Sequence, residues 1–288
     1  MNEMISVVIP AYNREDIIKK CIDSVLAQTY SNIEFIVVDD CSTDKTADVV
    51  DAYEDTRVRK CIRLEKNRGA CYARNKGADS AEGSYIAFQD SDDIWMPEKL
   101  DRQLQFMENG KYDMVFCGMK RINHFKNKEW YFPLYTFDEN GDKQKQILKE
   151  NCVSTQCILI KKEAFNKVRF DEKIKKYQDW DFAIRAAEIL KMGYLKESLV
   201  VAEVQENSIS RKTSRYDALS VLYNKYLNII SKDNSLNAFF LKQMGDEFFK
   251  TDAKKAIPFY KKSLKKHKKL KTLIKLILCQ VKRNGRMQ

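Results

Sequence analysis

The stretch Ile5-Ser6-Val7-Val8-Ile9-Pro10 is nearly all apolar and β-branched. A strand with no polar alternate face fits a parallel sheet covered on both sides. Ile17, Ile18, Cys21, Ile22, Val25 and Leu26 follow at helical spacing, with Asn13 available as a cap. The alternation then repeats. Residues 33–38 read as a second buried strand ending in Asp39-Asp40, and Ser42-Thr43-Asp44 start a short helix through Val50 and Tyr53. Residues 58–64 read as a third strand, Asn67-Arg68-Gly69 as a turn, 70–81 as an alanine-rich helix and 85–88 as a fourth strand. Strands alternating with helices predict an α/β fold with a doubly wound, mainly parallel, Rossmann-like sheet.

Such sheets bind ligands outside the carboxyl ends of their strands. That rule groups Ala11-Tyr12, Asp39-Asp40 and the segment Asp90 to Asp93, far apart in sequence, along one edge. Asp90, Asp92 and Asp93 crowd the end of the fourth strand. Like charges at that spacing repel unless a cation sits among them. A hard divalent ion, Mn²⁺ or Mg²⁺, held by one or two carboxylates plus substrate phosphates, is the natural neutraliser. The plainer alternative is a solvated acidic turn before a helix that starts at Pro97. Neither a G-x-G-x-x-G fingerprint nor a G-x-x-x-x-G-K-[ST] loop is present, and the chain has only nine glycines. Phosphate would therefore need a metal rather than a glycine-rich cradle.

The 288 residues suffice for one large domain with an appendage. The amino terminus, Met1-Asn2-Glu3-Met4, reads as no signal peptide. No window approaches membrane-spanning length. Eight scattered cysteines without a Cys-x-x-Cys, and only two histidines, argue against zinc and for reduced cytoplasmic thiols. The formal charge of +11 is unevenly spread. Residues 211–288 carry 20 Lys and Arg against 5 Asp and Glu, whereas 1–210 carry 32 against 36. Two regions with different partners are expected, divided as 1–212 and 213–288.

Four motifs in order resemble the family 2 glycosyltransferases, inverting nucleotide-sugar enzymes of GT-A fold. They are Val7-Val8-Ile9-Pro10-Ala11-Tyr12-Asn13, Val37-Val38-Asp39-Asp40-Cys41-Ser42-Thr43-Asp44, the segment Asn67 to Gly77, and Phe88-Gln89-Asp90-Ser91-Asp92-Asp93. The resemblance covers roughly residues 4 to 210. It implies a nucleotide site made of Pro10, Ala11, Tyr12, Asp39, Asp40, Arg74, Asp90 and Ser91. Tyr12 would lie against the base, or serve as an ordinary strand-end aromatic. Asp40, or Asp39, would accept from a pyrimidine N–H, which favours uridine, or cap the next helix. Arg74 would sit near the diphosphate. Asp90 would bind ribose or a water-mediated metal, and Asp92 would ligate the metal.

Tyr177-Gln178-Asp179-Trp180-Asp181-Phe182 resembles the family's Glu-Asp-x-x-Leu segment, whose Asp is the general base. That assigns the acceptor proton to Asp179 rather than Asp181 and puts Gln178 where relatives carry Glu. Phe170-Asp171-Glu172 resembles a Gly-Gly-Phe-Asp-Glu turn without its glycines. Ser154-Thr155 and the aromatics Trp130, Tyr131, Phe132 and Tyr135 would border the acceptor, or the rings belong to the core. Gln205 stands at the position of a family His, Glu203 at that of an Arg, and no Gln-x-x-Arg-Trp motif is present. The implied activity is transfer of a single hexose or N-acetylhexosamine from a UDP-sugar to a glycan or lipid-linked acceptor. A catalytically inactive nucleotide-sugar-binding scaffold, or a sugar-phosphate nucleotidyltransferase, is the alternative.

The tail reads as helices over 237–250 and 253–269, faintly like one tetratricopeptide unit, which cannot bury its own face. A final stripe of Leu270, Leu273, Ile274, Ile277, Leu278 and Val281 is ringed by lysines. A basic amphipathic helix over 264–283 suits an anionic membrane surface, which would place the enzyme at the inner face of the plasma membrane. Nucleic acid is not expected, because the acidic sheet edge would repel a polyanion.

Overall fold

Residues 3–59, 61–133, 137–204 and 214–283 are described by a computed structural model. The chain divides into two compact units, Met1–Ser208 and Ile209–Gln288. In chain order the first unit holds β1 (Ile5–Ala11), α1 (Ile18–Leu26), β2 (Ile33–Asp39), α2 (Thr46–Asp51), β3 (Ile62–Arg63), α3 (Ala70–Ser80), β4 (Tyr85–Phe88) and β5 (Asp93–Trp95). It continues with α4 (Lys99–Gly110), β6 (Met114–Asn123), β7 (Lys128–Phe132), α5 (Lys143–Lys149), β8 (Ile158–Lys161), α6 (Lys162–Val168), α7 (Gln178–Ile189) and β9 (Met192–Glu203).

One sheet runs in the order β3-β2-β1-β4-β8-β6-β9-β5, with β7 paired to β6. The β3-β2-β1-β4 half is parallel, as the alternating pattern predicts. The other half is mixed: β8 is antiparallel to β4 and β6, β9 parallel to β6, and β5 antiparallel to β9. Val7, Val8 and Ile9 are fully buried, consistent with a covered central strand. Each such side chain contributes roughly 1.5–3 kcal/mol of hydrophobic stabilisation.

Pro10 fits its place in β1. The carbonyls of Val8 and Ala11 accept from Gln89 and Asp40 on opposite sides, so position 10 faces β4. The β4 pairing has already ended at Val8 and Phe88, and the missing N–H of Pro10 breaks no ladder bond. On one face α3 lies close to β1. A Cβ at Gly77 would come within 2.4 Å of Val8 Cγ1.

Several local expectations are corrected. The third strand shrinks to Ile62–Arg63 with an isolated bridge from Val58 to Phe35, so residues 58–64 do not pair throughout. Asn13 does not cap α1. It sits at φ +51°, and its Oδ1 accepts from the Thr43 N–H, tying the β1 loop to the β2 loop. Helix α2 starts at Thr46 rather than at 42–44, because Asp44 folds back on the Thr46 N–H and hydroxyl. Pro97 precedes α4 instead of opening it, and its carbonyl accepts from Thr29.

The second unit contains α8 (Arg215–Lys225), α9 (Leu227–Ile230), α10 (Asn234–Phe248), α11 (Ala253–Lys266) and α12 (Leu270–Arg283). The first predicted tail helix starts and ends earlier than 237–250, and the second stops at Lys266. Asp233 and Asp252 supply the caps, accepting from Leu236 and Lys255. Ala256, Ile257, Tyr260, Leu276 and Cys279 form a small core, flanked by Phe248 and Phe249. Asp246 pins it together, accepting from Lys242 (2.6 Å), Lys275 (2.7 Å) and the Tyr260 hydroxyl (2.8 Å). Burial alone would raise the Asp246 carboxyl, but these three donors hold it below its ordinary value. No described helix is long and apolar enough to cross a membrane.

Candidate active site

The parallel register brings the ends of β1, β2 and β4 to one edge, with Ala11 opposite Asp39. Pro10 and Ala11 close β1, and Tyr12 follows half-buried. The Asp39 carboxylate accepts from the Ser42 N–H at 3.3 Å and from the Ser42 hydroxyl, which shapes the turn after β2. Asp40 is turned to the opposite loop. Its Oδ1 accepts from the Arg68 N–H and its Oδ2 from the Gly69 N–H, both at 2.7 Å. The helix-capping alternative raised for Asp40 is not realised: α2 has no side-chain cap, and the two amides that Asp40 accepts from lie in the loop before α3. Burial raises its carboxyl above the usual range, Asp39 adds to that, and the two amides oppose it.

Asp90, Ser91 and Asp92 form the turn between β4 and β5. Ser91 is buried and Asp92 half-buried. Burial raises the Asp92 carboxyl, the charge of Asp90 adds to it, and Arg14 and Arg74 counteract. Asp93 opens β5, buried, and is raised well above the ordinary carboxylate range by burial and by both neighbouring aspartates, against Arg121 and a hydrogen bond from Gln156. Three crowded acids are the electrostatic condition that the sequence implies.

Arg74 is the hub. Its Nη2 donates to Asp90 Oδ1 at 2.6 Å, and its Nη1 donates to Gln178 Oε1 at 3.1 Å. Its side chain is 7% exposed and that of Asp90 29%, so the pair is largely shielded from water. One guanidinium thus joins the acidic turn to the first residue of α7. Asp179, next in that helix, has its Oδ1 accepting from the Trp180 N–H at 2.8 Å. Burial raises its carboxyl, Trp180, Asn151 and Arg74 lower it, and Asp90 raises it further. Asp181 points elsewhere. It is fully buried and paired with Arg185 at 2.9 Å, a structural role that removes it as a base.

The turn at Phe170 is held from α3. Asn75 accepts from the Phe170 N–H and donates to the Phe170 carbonyl, each at 3.0 Å, and also donates to Glu172 at 3.1 Å. Ser154 donates to Gln156 at 2.8 Å. Trp130, Tyr131 and Phe132 lie on β7, while Tyr135 and Gln205 lie outside the described residues. Glu203 ends β9, 3.2 Å from His124 Nε2.

The sequence reading missed Arg14, Arg121, Asn151 and Gln156. Arg14 and Arg121 act on Asp92 and Asp93, and each has a buried Nε without a hydrogen-bond partner among the described residues, as does Arg74. No motif marks these residues, because Arg14, Arg121 and Gln156 reach the acidic turn, and Asn151 reaches Asp179, from separate parts of the chain.

For a divalent ion the donor set fits in chemistry. Asp90 and Asp92 offer only hard carboxylate oxygens and repel each other, and Arg74 takes one Asp90 oxygen. Among the described residues no three His, Cys, Asp or Glu side chains converge tightly enough to cage an ion. Substrate phosphate and water would complete the shell.

Known proteins resemble this chain in sequence and in fold. The family model for glycosyl transferase family 2 matches residues 6–169. MJ1057 of Methanocaldococcus jannaschii, an uncharacterized glycosyltransferase, is 32% identical over 217 residues, 72% of this chain and 74% of its own length. WfaP of Escherichia coli, a UDP-Glc:α-D-GlcNAc-diphosphoundecaprenol β-1,3-glucosyltransferase, is 46% identical over 109 residues, 38% of this chain. The match spans only 43% of the length of WfaP. The crystal structure of S. aureus TarS 1–349 in complex with UDP-GlcNAc superposes with a TM-score of 0.72 at 21% identity, over 98% of this chain and 92% of that one, and shows the shared GT-A fold. With the motif order, the sheet and the family model in agreement, this chain belongs to glycosyltransferase family 2.

Proposed function

We propose that this glycosyltransferase moves one hexose or N-acetylhexosamine from a UDP-sugar to a hydroxyl of a glycan or lipid-linked glycan precursor, with inversion and with help from Mn²⁺ or Mg²⁺. The observation that carries the reading is the Arg74 bridge, which links Asp90 of the acidic turn to Gln178, next to Asp179, in α7. The similarity to WfaP, which acts on UDP-Glc and α-D-GlcNAc-diphosphoundecaprenol, supports the substrate classes.

Tyr12 and the Asp39-Asp40 corner would take the uridine, with Asp40 rigid because two amides hold it. Asp90, Ser91 and Arg74 would take ribose and diphosphate. Asp92, with Asp90, would hold the ion, which when bound neutralises the diphosphate as it leaves. Asp179 acts as the base. As the acceptor oxygen bonds to the anomeric carbon, the carbon–phosphate-oxygen bond breaks on the opposite face. The hydroxyl proton passes to the Asp179 carboxylate, and UDP departs with the bonding pair. Burial that raises this carboxyl makes it a better proton acceptor. A lipid-borne acceptor would lie at a membrane, and the basic tail over 264–283 supplies a means of reaching one.

UDP release from a panel of UDP-sugars, with a soluble acceptor and with or without Mn²⁺, tests the reading. Asp92→Asn and chelation should each lower turnover at least tenfold. Tight UDP-sugar binding with no turnover under any condition would instead identify a nucleotide-sugar-binding scaffold.

A further inference from the structure

In the second unit, helix α12 presents two apolar faces, and among the described residues only one is covered. Thr272, Leu276 and Cys279 are buried at helical spacing, facing the small core with α11. On the opposite side Leu270 (73%), Leu273 (42%), Ile274 (48%) and Ile277 (49%) stand exposed, a stripe at positions i, i+3, i+4 and i+7. Lys271 and Lys282 are exposed along one flank of that stripe. Lys275, on the same flank, is turned back onto Asp246 at 2.7 Å, which fixes the rotation of α12 against the core.

Charge decides the occupant. Lys265, Lys266, Lys268, Lys269 and Lys271 are all exposed, clustered around the start of α12, and the first turn holds no acidic residue. A helix amino terminus is the positive end of its dipole, so Lys268, Lys269 and Lys271 destabilise it unless an anion lies against them, whereas Lys265 and Lys266 sit in the last turn of α11, where cations are favoured. A flat, exposed aliphatic stripe with a basic margin suits an interface that is anionic at its surface and apolar just beneath.

We infer that α12 docks on an anionic phospholipid bilayer, its axis in the membrane plane, with Leu270, Leu273, Ile274 and Ile277 entering the acyl boundary and the lysines on headgroup phosphates. The inference deepens the transferase reading and rests on its lipid-borne acceptor. It names α12 as the contact and states which face turns inward.

The test is co-sedimentation of the full chain with phosphatidylcholine vesicles, with and without phosphatidylglycerol, alongside UDP release with a soluble acceptor. Binding is expected to the anionic vesicles only and to fall with salt. Ile274→Glu with Ile277→Glu should reduce it more than tenfold. Lys268→Gln, Lys269→Gln and Lys271→Gln should each weaken it about fivefold. UDP release in solution should stay unchanged in all of these variants, so loss of docking is distinguishable from failure of the catalytic reading. Three results would overturn the inference. They are equal binding to neutral vesicles, no vesicle binding by a folded and active chain, and a concentration-dependent dimer that the stripe variants dissolve, which would make a second copy the occupant.

Discussion

The two units handle charge in opposite ways. In the first, the important acids are withdrawn from water and each is met by a specific donor: Asp40 by two backbone amides, Asp90 by Arg74, Asp181 by Arg185. In the second, most lysines are left in solvent, and the half-buried Asp246 anchors two of the others. Desolvated, oriented charge can do chemistry because its field is strong and its geometry fixed. Exposed charge is screened and loosely placed, and serves attraction to a surface instead. Substitutions in the first unit should therefore change turnover or fold energy sharply, and those in the second should change adhesion and modest local stability.

The largest expected effect is at Asp179. Asp179→Asn should lower kcat about a thousandfold while UDP binding by calorimetry stays within about twofold. In the wild type, the base is lost as pH falls through its raised pKa, so kcat/KM should decline on the acid side at a pH above that of an ordinary carboxylate. A variant retaining more than a tenth of the activity would move the base elsewhere.

Arg74→Ala comes next. It strips the cation from Asp90 beside two other acids. Unfolding by denaturant should show a loss of about 3 kcal/mol, the scale for breaking a buried pair. An effect below about 0.5 kcal/mol would show that this site is as screened as a surface pair and would erase the contrast between the units.

Lys99 tests the first unit where no catalysis is involved. It is completely buried, donates to Gln103 at 2.7 Å, and lies 3.8 Å from the centre of the Trp95 ring. Burial pushes its pKa down to about 8. Between pH 8 and the unfolded value of 10.5 the unfolded chain binds the extra proton, so this group makes stability rise with pH across that window. Lys99→Met should remove that slope and stabilise the fold at pH 7 by about 2 kcal/mol, read from melts at several pH values. The smallest effect is expected at Asp246→Asn, about 1 kcal/mol of stability in the tail. The wild-type carboxyl is depressed, so its contribution is present at neutral pH and fades as acid protonates it. The variant should lose that acid dependence.

Much of this was legible in the sequence, and for definite reasons. The strands β1, β2 and β4 are mostly apolar runs, interrupted by Ser6 and Glu34, and their parallel order fixes which ends meet, so Ala11, Asp39-Asp40 and Asp90 to Asp93 could be assembled from the sequence. Asp179 could be placed only through resemblance, since an acid near a helix start is more often a cap. The mixed half of the sheet was not legible. Segments such as Met114–Asn123 pass from apolar to basic within one strand, and beyond the local pairing with β7 its other antiparallel partner, β8, lies 40 or more residues away. Asn13 misled because an Asn before a helix normally caps it, whereas this one ties down Thr43 across a gap of 30 residues. Arg14, Arg121 and Gln156 gave no signal because tertiary proximity alone defines their role.

The absent methyl at Gly77 has a reach beyond its own position. Any larger residue there would meet Val8 and lift α3 off the sheet, and Arg74, one turn earlier on that helix, would be carried away from Asp90. Asn75 would retreat with it and release the Phe170 turn. The electrostatic wiring of the pocket is thus calibrated by how near a helix can stand to a strand, so a change that touches no ligand and alters no charge could still silence the enzyme.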